Sequence, residues 1–159
     1  EEELAGMLYE NSDEPYCEEL AKAITTEIRK GNRIDTTTKL RNVIEKTLDF
    51  LPNNKEKKDI IKKTCQRTFQ ALRIDVNNEF EVLYEFMEKL PEALKPGGRV
   101  AILTFHSGED KLVKKALKAG YKEGIYSEYA RDVVRPSAQE CAQNGRARST
   151  KMRWAVKAE

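Results

Sequence analysis

The spacing of apolar residues changes once along this chain, and that change limits the folds it can adopt. Between residues 17 and 90, apolar side chains recur at three- and four-residue steps, the periodicity of helices with one buried face. After the turn signal at residues 95–98, the pattern becomes that of strands separated by a helix. A helical region followed by an α/β region is therefore predicted.

The helical region is predicted to contain three main segments. The first places four apolar residues on one face: Cys17, Leu20, Ile24 and Ile28. The second opens at the three threonines of residues 36–38 and ends before Pro52. The third begins in the basic stretch 55–63, and we expect a break at Asn77-Asn78 because asparagine is a poor residue for a helix interior.

The α/β region has two strand signals of different kinds. Residues 100–103 are continuously apolar, which is typical of a strand buried on both faces of a parallel sheet. Residues 148–156 alternate strictly, and this predicts a strand that buries the face carrying Met152, Trp154 and Val156. Two or three strands are few for such a sheet, so the region is interpreted as part of a larger α/β fold.

Charge is distributed unevenly along the chain. The 159 residues carry a formal net charge of +2, but residues 1–30 hold nine acids against three bases. Residues 135–157 hold six bases against one acid. A basic end on a nearly neutral protein indicates a local contact with an anion rather than a general attraction to polyanions.

Cysteine usage and hydropathy narrow the class of protein. The three cysteines are far apart in sequence, which argues against a disulfide framework and against a zinc or other metal site. We therefore expect a reducing, cytoplasmic setting. No apolar run approaches the roughly 20 residues that cross a bilayer, so no contact with a membrane is expected. Because the chain starts at Glu1 without a helix cap, we expect it to continue a longer protein.

His106, the single histidine, follows the apolar strand at the end where α/β sheets place their binding crevice. It either lines a reaction pocket or closes the strand end by hydrogen bonding to the next loop. Ser107, with Glu109 and Asp110, either takes part in acid–base chemistry or caps the following helix; the spacing favours the cap.

Four residues near the last strand are candidates for RNA contact: Arg146, Arg148, Ser149 and Lys151. Arginine binds a phosphate through two parallel hydrogen bonds. The alternative interpretation of these four residues is a basic strand edge in contact with solvent. Arg73 is a further candidate, although it could equally tie a helix to the sheet. The basic stretch 55–63 is interpreted as a solvated helix face, with RNA binding as the alternative.

Three ordered blocks carry a resemblance to a known family. They read RTFQALRIDVNNE at residues 67–79, PGGRVAILTFHSGED at 96–110, and RPS at 135–137 followed by NGRARSTK at 144–151. In this order they resemble the MraW/RsmH family of ribosomal RNA methyltransferases. The family usually has Ser and Leu where this chain has Thr104 and Gly108, and Pro and Ala where it has Gly145 and Thr150.

The resemblance implies a fold, a reaction and partners. The fold would be the C-terminal part of a Rossmann-like class I methyltransferase sheet, residues 65–159, preceded by a helical insert or cap domain, residues 1–64. The reaction would transfer a methyl group from S-adenosylmethionine to N4 of a cytidine in 16S rRNA. The partners would be that rRNA or the small ribosomal subunit. A homodimer formed through uncovered helix faces of residues 1–64 is a separate hypothesis, which rests on exposed apolar surface and not on the resemblance.

The resemblance also implies that the main motifs for S-adenosylmethionine lie outside this chain. Gly97 and Gly98 precede a strand, so they predict a turn rather than a cofactor loop, and no residue here is assigned to the cofactor. With the resemblance, His106 and Ser107 are expected to line the methyl-transfer pocket. The competing hypothesis is a non-catalytic module that binds RNA or protein.

Overall fold

The computed structural model describes all 159 residues as seven α-helices, three strands and one 3-10 turn. The elements are α1 (Glu2–Ser12), α2 (Cys17–Arg29), α3 (Thr37–Thr47), α4 (Lys55–Asn77), α5 (Glu79–Ala93), β1 (Arg99–Thr104), α6 (Ser107–Lys122), β2 (Tyr126–Tyr129), α7 (Ala138–Gln143), the 3-10 turn (Gly145–Ser149) and β3 (Lys151–Lys157). None of the helices combines the length and the apolar composition that a membrane crossing requires.

The chain forms two compact units, a helical unit, Glu1–Glu79, and an α/β unit, Phe80–Glu159. The domain boundary expected at residue 64 is not observed there. Residue 64 lies inside α4, which is one continuous helix whose buried side chains include Thr64, Thr68 and Ala71. The break predicted at the asparagine pair is present, because Asn78 adopts the left-handed conformation that ends α4.

The helical unit closes around its own core. Its fully buried apolar residues, which come from α1, α2, α4 and the C-terminal half of α3 with its cap, are Leu8, Leu20, Ala21, Ile44, Leu48 and Ala71. The predicted helix starts are present: the side chain of Thr36 accepts a hydrogen bond from the Lys39 backbone N–H, and Asn54 does the same for Lys57. These caps satisfy backbone donors that a helix start leaves open.

The α/β unit contains a three-stranded sheet in the order β1-β3-β2. Both pairings are antiparallel, so the parallel pairing predicted from the apolar run is wrong. The reason lies in the connection: residues 130–150 return the chain to the end at which β1 finishes, so that Lys151 starts β3 opposite Thr104. The α/β fold class with a helical region before it is confirmed.

Helices α5 and α6 cover only one face of this sheet. Buried residues of the two helices, Met87, Leu90, Val113 and Leu117, form a core with Ala155 of β3. On β1, Val100 and Ile102 pack against that core, whereas Leu103 is 58% exposed on the other side. Strand β1 is therefore not buried on both faces within this chain.

The predicted orientation of the last strand is wrong. Arg153 is 5% exposed and Ala155 is fully buried, so the face of β3 opposite to the expected one packs against the helices. The apolar residues Met152, Trp154 and Val156 lie on the other face, across from Leu103, Ala101 and Arg99. We call this second surface the open face, defined by Ala101, Leu103, Met152, Trp154 and Val156.

Candidate functional site

Three segments of the α/β unit converge at one end of its sheet. Thr104, the last residue of β1, lies opposite Lys151, and its hydroxyl donates a hydrogen bond to the Lys151 carbonyl at 3.4 Å. An isolated bridge joins Val134 to Met152 and brings the 130–137 segment to the same end. The residues that follow β1 and those that precede β3 therefore share this end of the sheet.

His106 stands at this sheet end and is held in place by its own helix. Its Nδ1 accepts a hydrogen bond from the Glu109 backbone N–H at 3.4 Å, and its Nε2 lies 3.4 Å from Glu109 Oε1. The side chain is 12% exposed, and the Phe80 ring packs edge-on against the imidazole at a centroid distance of 5.8 Å. Since Nδ1 acts as an acceptor, the neutral ring carries its proton on Nε2.

The helix cap lies one residue earlier than the sequence indicates. His106, not Ser107, is the N-cap of α6, and Ser107 is the first helical residue, with its side chain exposed. The acid that reaches back is Glu109 and not Asp110, the residue three positions after Ser107, because Glu109 Oε2 accepts a hydrogen bond from the Phe105 backbone N–H at 3.0 Å. His106 therefore caps α6, and Ser107 is left with its hydroxyl at the surface.

Gly108 explains how Phe80 approaches the histidine. A Cβ at this position would lie 2.7 Å from Phe80 Cζ and 3.2 Å from His106 Nδ1. A larger side chain, such as the leucine that the resembled family usually carries, would require the Phe80 ring to move. The absence of a side chain at Gly108 therefore leaves room for the edge-on contact between Phe80 and the imidazole of His106.

A buried ion pair fixes the start of α6 to the middle of β3. Arg153 Nε lies 2.7 Å from Asp110 Oδ1, and Nη2 lies 3.2 Å from Oδ2, so the pair is bidentate. Arg153 Nη1 also donates to the backbone carbonyls of Ala130 and Arg131 at 3.4 and 3.3 Å. The hydrogen bond from Arg153 lowers the pKa of Asp110 below its ordinary value.

Sequence reasoning missed this ion pair, although one signal was present. Arg153 shares one face of β3 with Lys151 and the small residue Ala155. From the sequence, this face is therefore expected to be in contact with solvent. A buried arginine needs a partner carboxylate, whereas the sequence suggests a helix cap or acid–base chemistry for Asp110 and not an ion pair. The pair is structural, and it holds the helix that carries His106 at its start.

The predicted RNA-contact residues lie mostly in the 3-10 turn rather than in the strand. Asn144 caps the turn by accepting a hydrogen bond from the Arg146 backbone N–H, and Ala147 is buried at its centre. Arg146 and Arg148 flank that anchor, are exposed, and form no ion pair with a carboxylate. Ser149 ends the turn, and Lys151 opens β3, so the four candidates form one short segment.

Arg73 belongs to the helical unit and has a carboxylate partner. Its Nε lies 2.8 Å from Glu79 Oε1 and its Nη2 lies 3.2 Å from Oε2, while the side chain remains 56% exposed. The guanidinium therefore links the end of α4 to the first residue of α5. A role in RNA contact would require it to exchange or share this partner.

The glycine pair before β1 forms a turn. The Gly98 N–H donates to the Lys95 carbonyl at 2.8 Å, and the Gly97 N–H donates to the Lys157 carbonyl at 3.1 Å. Gly97 has a φ of 70°, a conformation that favours glycine. Because these N–H groups are used within the fold, the pair does not fit a loop that would hold S-adenosylmethionine.

Comparisons with known proteins identify the family. A sequence profile described as the MraW methylase family matches residues 1–158, and the chain belongs to that family. The chain is 89% identical to "Ribosomal RNA small subunit methyltransferase H 1" of Agathobacter rectalis over 158 residues, which is 99% of this chain and 45% of the relative.

More distant relatives carry similar names. Identity is 60% to "Ribosomal RNA small subunit methyltransferase H 2" of Alkaliphilus metalliredigens, covering 99% of this chain and 45% of the relative. It is 37% to "Ribosomal RNA small subunit methyltransferase H" of Rickettsia prowazekii, covering 99% of this chain and 54% of the relative. The chain therefore spans about half the length of these curated relatives.

Proposed function

We propose that this chain is the RNA-contacting part of an S-adenosylmethionine-dependent methyltransferase that modifies N4 of a cytidine in 16S rRNA. The observation that carries the proposal is the register Thr104–Lys151, which gathers His106 and the arginine turn at one end of the sheet. The names of the relatives supply the class of substrate, the RNA of the small ribosomal subunit. The three cysteines are free, which agrees with a cytoplasmic setting.

His106 has the features of a residue that positions the target base. Its ring is held by the Glu109 backbone and by Phe80, so the imidazole has one defined orientation. In that orientation Nδ1 is used by the helix cap and Nε2 is directed at a carboxylate, so His106 has no free basic nitrogen. We therefore assign it to packing and alignment of the cytosine, and not to removal of a proton.

The arginine turn has the features of a phosphate contact. Arg146 and Arg148 are exposed on either side of a buried anchor, so their guanidinium groups project from a backbone that is fixed at Ala147. Neither arginine is paired with a carboxylate, so both guanidinium groups are available to bind phosphate oxygens. Ser149 and Lys151 add a hydroxyl and an ammonium group to the same segment.

The open face is where we place the remaining part of the longer protein. This surface exposes Leu103 and leaves Met152 and Trp154 only partly covered, and strand β1 forms one edge of the sheet. An apolar sheet face together with a strand edge is a surface that proteins normally cover. The residues that bind S-adenosylmethionine, the donor of the methyl group, would then belong to the part that covers it.

The test joins this chain to the N-terminal part of the Agathobacter rectalis relative and measures transfer of labelled methyl groups from S-adenosylmethionine to small ribosomal subunits. Digestion of the rRNA and mass spectrometry should then show N4-methylcytidine. A methylated base of another kind, or no transfer with a folded protein that binds the donor, would contradict the proposal.

Three variants test the roles of these residues in that assay. His106→Ala should lower kcat by about 100-fold through loss of alignment, while the exposed neighbour Ser107→Ala should change it by less than about threefold if its hydroxyl only faces solvent. The paired change Arg146→Ala with Arg148→Ala should raise KM for the subunit more than it lowers kcat, because phosphate contacts support binding. Equal activity of the His106 and Ser107 variants would remove His106 from the site.

A further inference from the structure

An aromatic residue at the start of α5 contacts the imidazole of His106 from a separate element. Asn78 ends α4 in a left-handed conformation with a φ of 50°, so α5 begins at Glu79 and carries Phe80 in its first turn. The Phe80 ring meets the imidazole at an interplanar angle of 73°, with the ring centroids 5.8 Å apart. Edge-to-face pairs with centroids about 4.5–7 Å apart are the arrangement that aromatic rings favour.

Phe80 does not belong to the apolar core of the α/β unit. The part of α5 that enters this core begins later, with Leu83, Met87 and Leu90. Phe80 is only partly buried, and its ring lies against the histidine instead. Burial of apolar surface in the core therefore does not account for an aromatic side chain at this position.

The polar contacts of His106 with Glu109 restrain the plane of its ring weakly. The distance from Nδ1 to the Glu109 backbone nitrogen and that from Nε2 to Glu109 Oε1 are both 3.4 Å. Hydrogen bonds of N–H donors usually measure about 2.7–3.2 Å, so both contacts are long. The χ2 torsion of histidine has no sharp energy minimum of its own. An aromatic ring packed against the imidazole therefore contributes strongly to its orientation.

Gly108 provides the space that this ring occupies. A Cβ at position 108 would lie 2.7 Å from Phe80 Cζ and 3.1 Å from Cε1, closer than real Cβ atoms approach a neighbour without displacing it. Gly108 has no positive φ, so the backbone conformation does not require glycine here. Glycine is also an unfavourable residue for a helix. The Phe80 ring is thus the feature that requires a glycine at this position.

We propose that Phe80 is a positioning residue that sets the orientation of the His106 imidazole, and that Gly108 forms a functional pair with it. This inference rests on the proposed function, in which the imidazole aligns the target cytosine. Phe80 acts through His106 and does not itself contact the RNA. Truncating the ring and filling the space at Gly108 should therefore have the same consequence, a turned imidazole.

NMR of the 159-residue chain tests the orientation, because His106 is its single histidine and its ring signals are unambiguous. We expect a nuclear Overhauser effect between the imidazole and the Phe80 ring. Phe80→Ala and Gly108→Leu should each shift the imidazole proton signals, since the ring current of Phe80 is lost or displaced. The matched control Phe86→Ala removes an exposed ring from the same helix and should leave these signals in place. Imidazole signals that stay unchanged in Phe80→Ala would overturn the proposal.

Kinetics of the joined protein test the pair. Phe80→Ala and Gly108→Leu should each lower kcat by about tenfold with little change in KM, less than for His106→Ala, because the imidazole is misaligned and not absent. Combining the two changes should restore kcat to within about threefold, because the leucine fills the vacated space beside the imidazole. A Cβ at position 108 lies 3.2 Å from His106 Nδ1, close enough for this contact. Losses that multiply in the double variant would overturn the pair.

A background without the imidazole separates positioning from a general loss of structure. In His106→Ala, the further change Phe80→Ala should lower kcat by no more than about twofold, because the group that it positions is absent. A further tenfold loss would show that Phe80 acts by another route and would overturn its assignment.

The same experiments distinguish this inference from the proposed function. If the joined protein methylates N4 of cytidine while Phe80→Ala retains full kcat, the proposed function stands and the positioning role does not. If the joined protein folds and binds the donor but transfers no methyl group, the proposed function fails. The NMR comparison then still decides whether Phe80 orients the imidazole.

Discussion

The two units of this chain differ in how completely each one buries its apolar surface. The helical unit buries Leu20, Ile44 and Leu48 in a core that its own four helices form. The α/β unit covers one face of its sheet and leaves Leu103 and other apolar residues exposed on the second. The difference agrees with our proposal that more protein covers the open face of the second unit.

The units also differ in how they hold a buried carboxylate. In the α/β unit, Asp110 is paired with Arg153, and its pKa is lowered. In the helical unit, Glu14 is fully buried; its Oε1 accepts from the Tyr16 N–H and the Thr64 hydroxyl, whereas its Oε2 has no hydrogen-bond partner. Burial raises the pKa of Glu14 above its ordinary value of 4.5. The two groups should therefore respond to pH in opposite directions.

The largest effect is expected from breaking the buried ion pair. Arg153→Ala leaves the Asp110 charge without its partner and should lower the free energy of unfolding of the α/β unit by about 3–5 kcal/mol. Urea titration followed by the fluorescence of Trp154, the single tryptophan, reports on this unit. The double variant Asp110→Leu with Arg153→Met should recover most of the loss. A loss below about 1 kcal/mol would show that the pair is not buried as described.

The next effect compares the two faces of the sheet. Leu117 is fully buried against the covered face, so Leu117→Ala should cost about 2–5 kcal/mol. Leu103 lies on the open face, so Leu103→Ala should lower the free energy of unfolding of this chain by less than about 0.5 kcal/mol. In the joined protein the cost of Leu103→Ala should rise above about 1 kcal/mol, since the side chain would then be buried. An unchanged cost would mean that the open face stays open.

The smallest effect concerns Glu14 and pH. Its raised pKa means that the folded state binds more protons than the unfolded state. The contribution of Glu14 to the free energy of unfolding is therefore fully present below pH 4.5 and is lost as pH rises through the folded pKa. Glu14→Gln should remove this decline and change stability at neutral pH by on the order of 1 kcal/mol, the scale of one hydrogen bond. Chemical unfolding between pH 4 and 8 measures it through the NMR amide signals of residues 40–48, which lie in the helical unit.

Asp110 provides the control for that titration. Because its folded pKa is lowered, its contribution is present above the unfolded pKa and is lost as pH falls through the folded value. The signal of Trp154 should therefore show stability decreasing once the pH falls below the ordinary pKa of 3.8, in a titration extended to about pH 2, while the amide signals of residues 40–48 retain the opposite slope from Glu14. If Glu14→Gln leaves the pH profile of those amide signals unaltered, the carboxyl does not titrate in the folded protein.

Local signals in the sequence predicted the helices well, because caps and apolar periodicity are local properties. The threonines at 36–38 and the asparagine pair at 77–78 mark a start and an end that the structure confirms. The sheet was predicted less well, since a strand alternates identically whichever of its faces is covered. For β3, burial of Arg153 depended on Asp110, a partner 43 residues away in the chain, which no local pattern displays.

In the candidate site, too, local features were predictable and features that depend on tertiary contacts were not. The position of His106 after the apolar strand was predictable from sequence, whereas its use as the helix cap depends on Glu109 and on space provided by Gly108. The arginine turn was predicted as part of a strand because its residues share the alternation of β3, although Asn144 and Ala147 shape it as a 3-10 turn. The assignments of these residues to RNA and to the reaction remain predictions.

Hydrogen–deuterium exchange on this chain and on the joined protein tests most directly whether the α/β unit is completed by more protein. We expect the amides of β1, residues 99–104, that point away from β3 to exchange rapidly in the chain alone and to become at least about tenfold slower in the joined protein, because a free strand edge becomes covered. Amides in the core of the helical unit, such as those of residues 40–48, should exchange at the same rate in both. Equal exchange of β1 in the two proteins, or a slowing confined to the helical unit, would contradict the account.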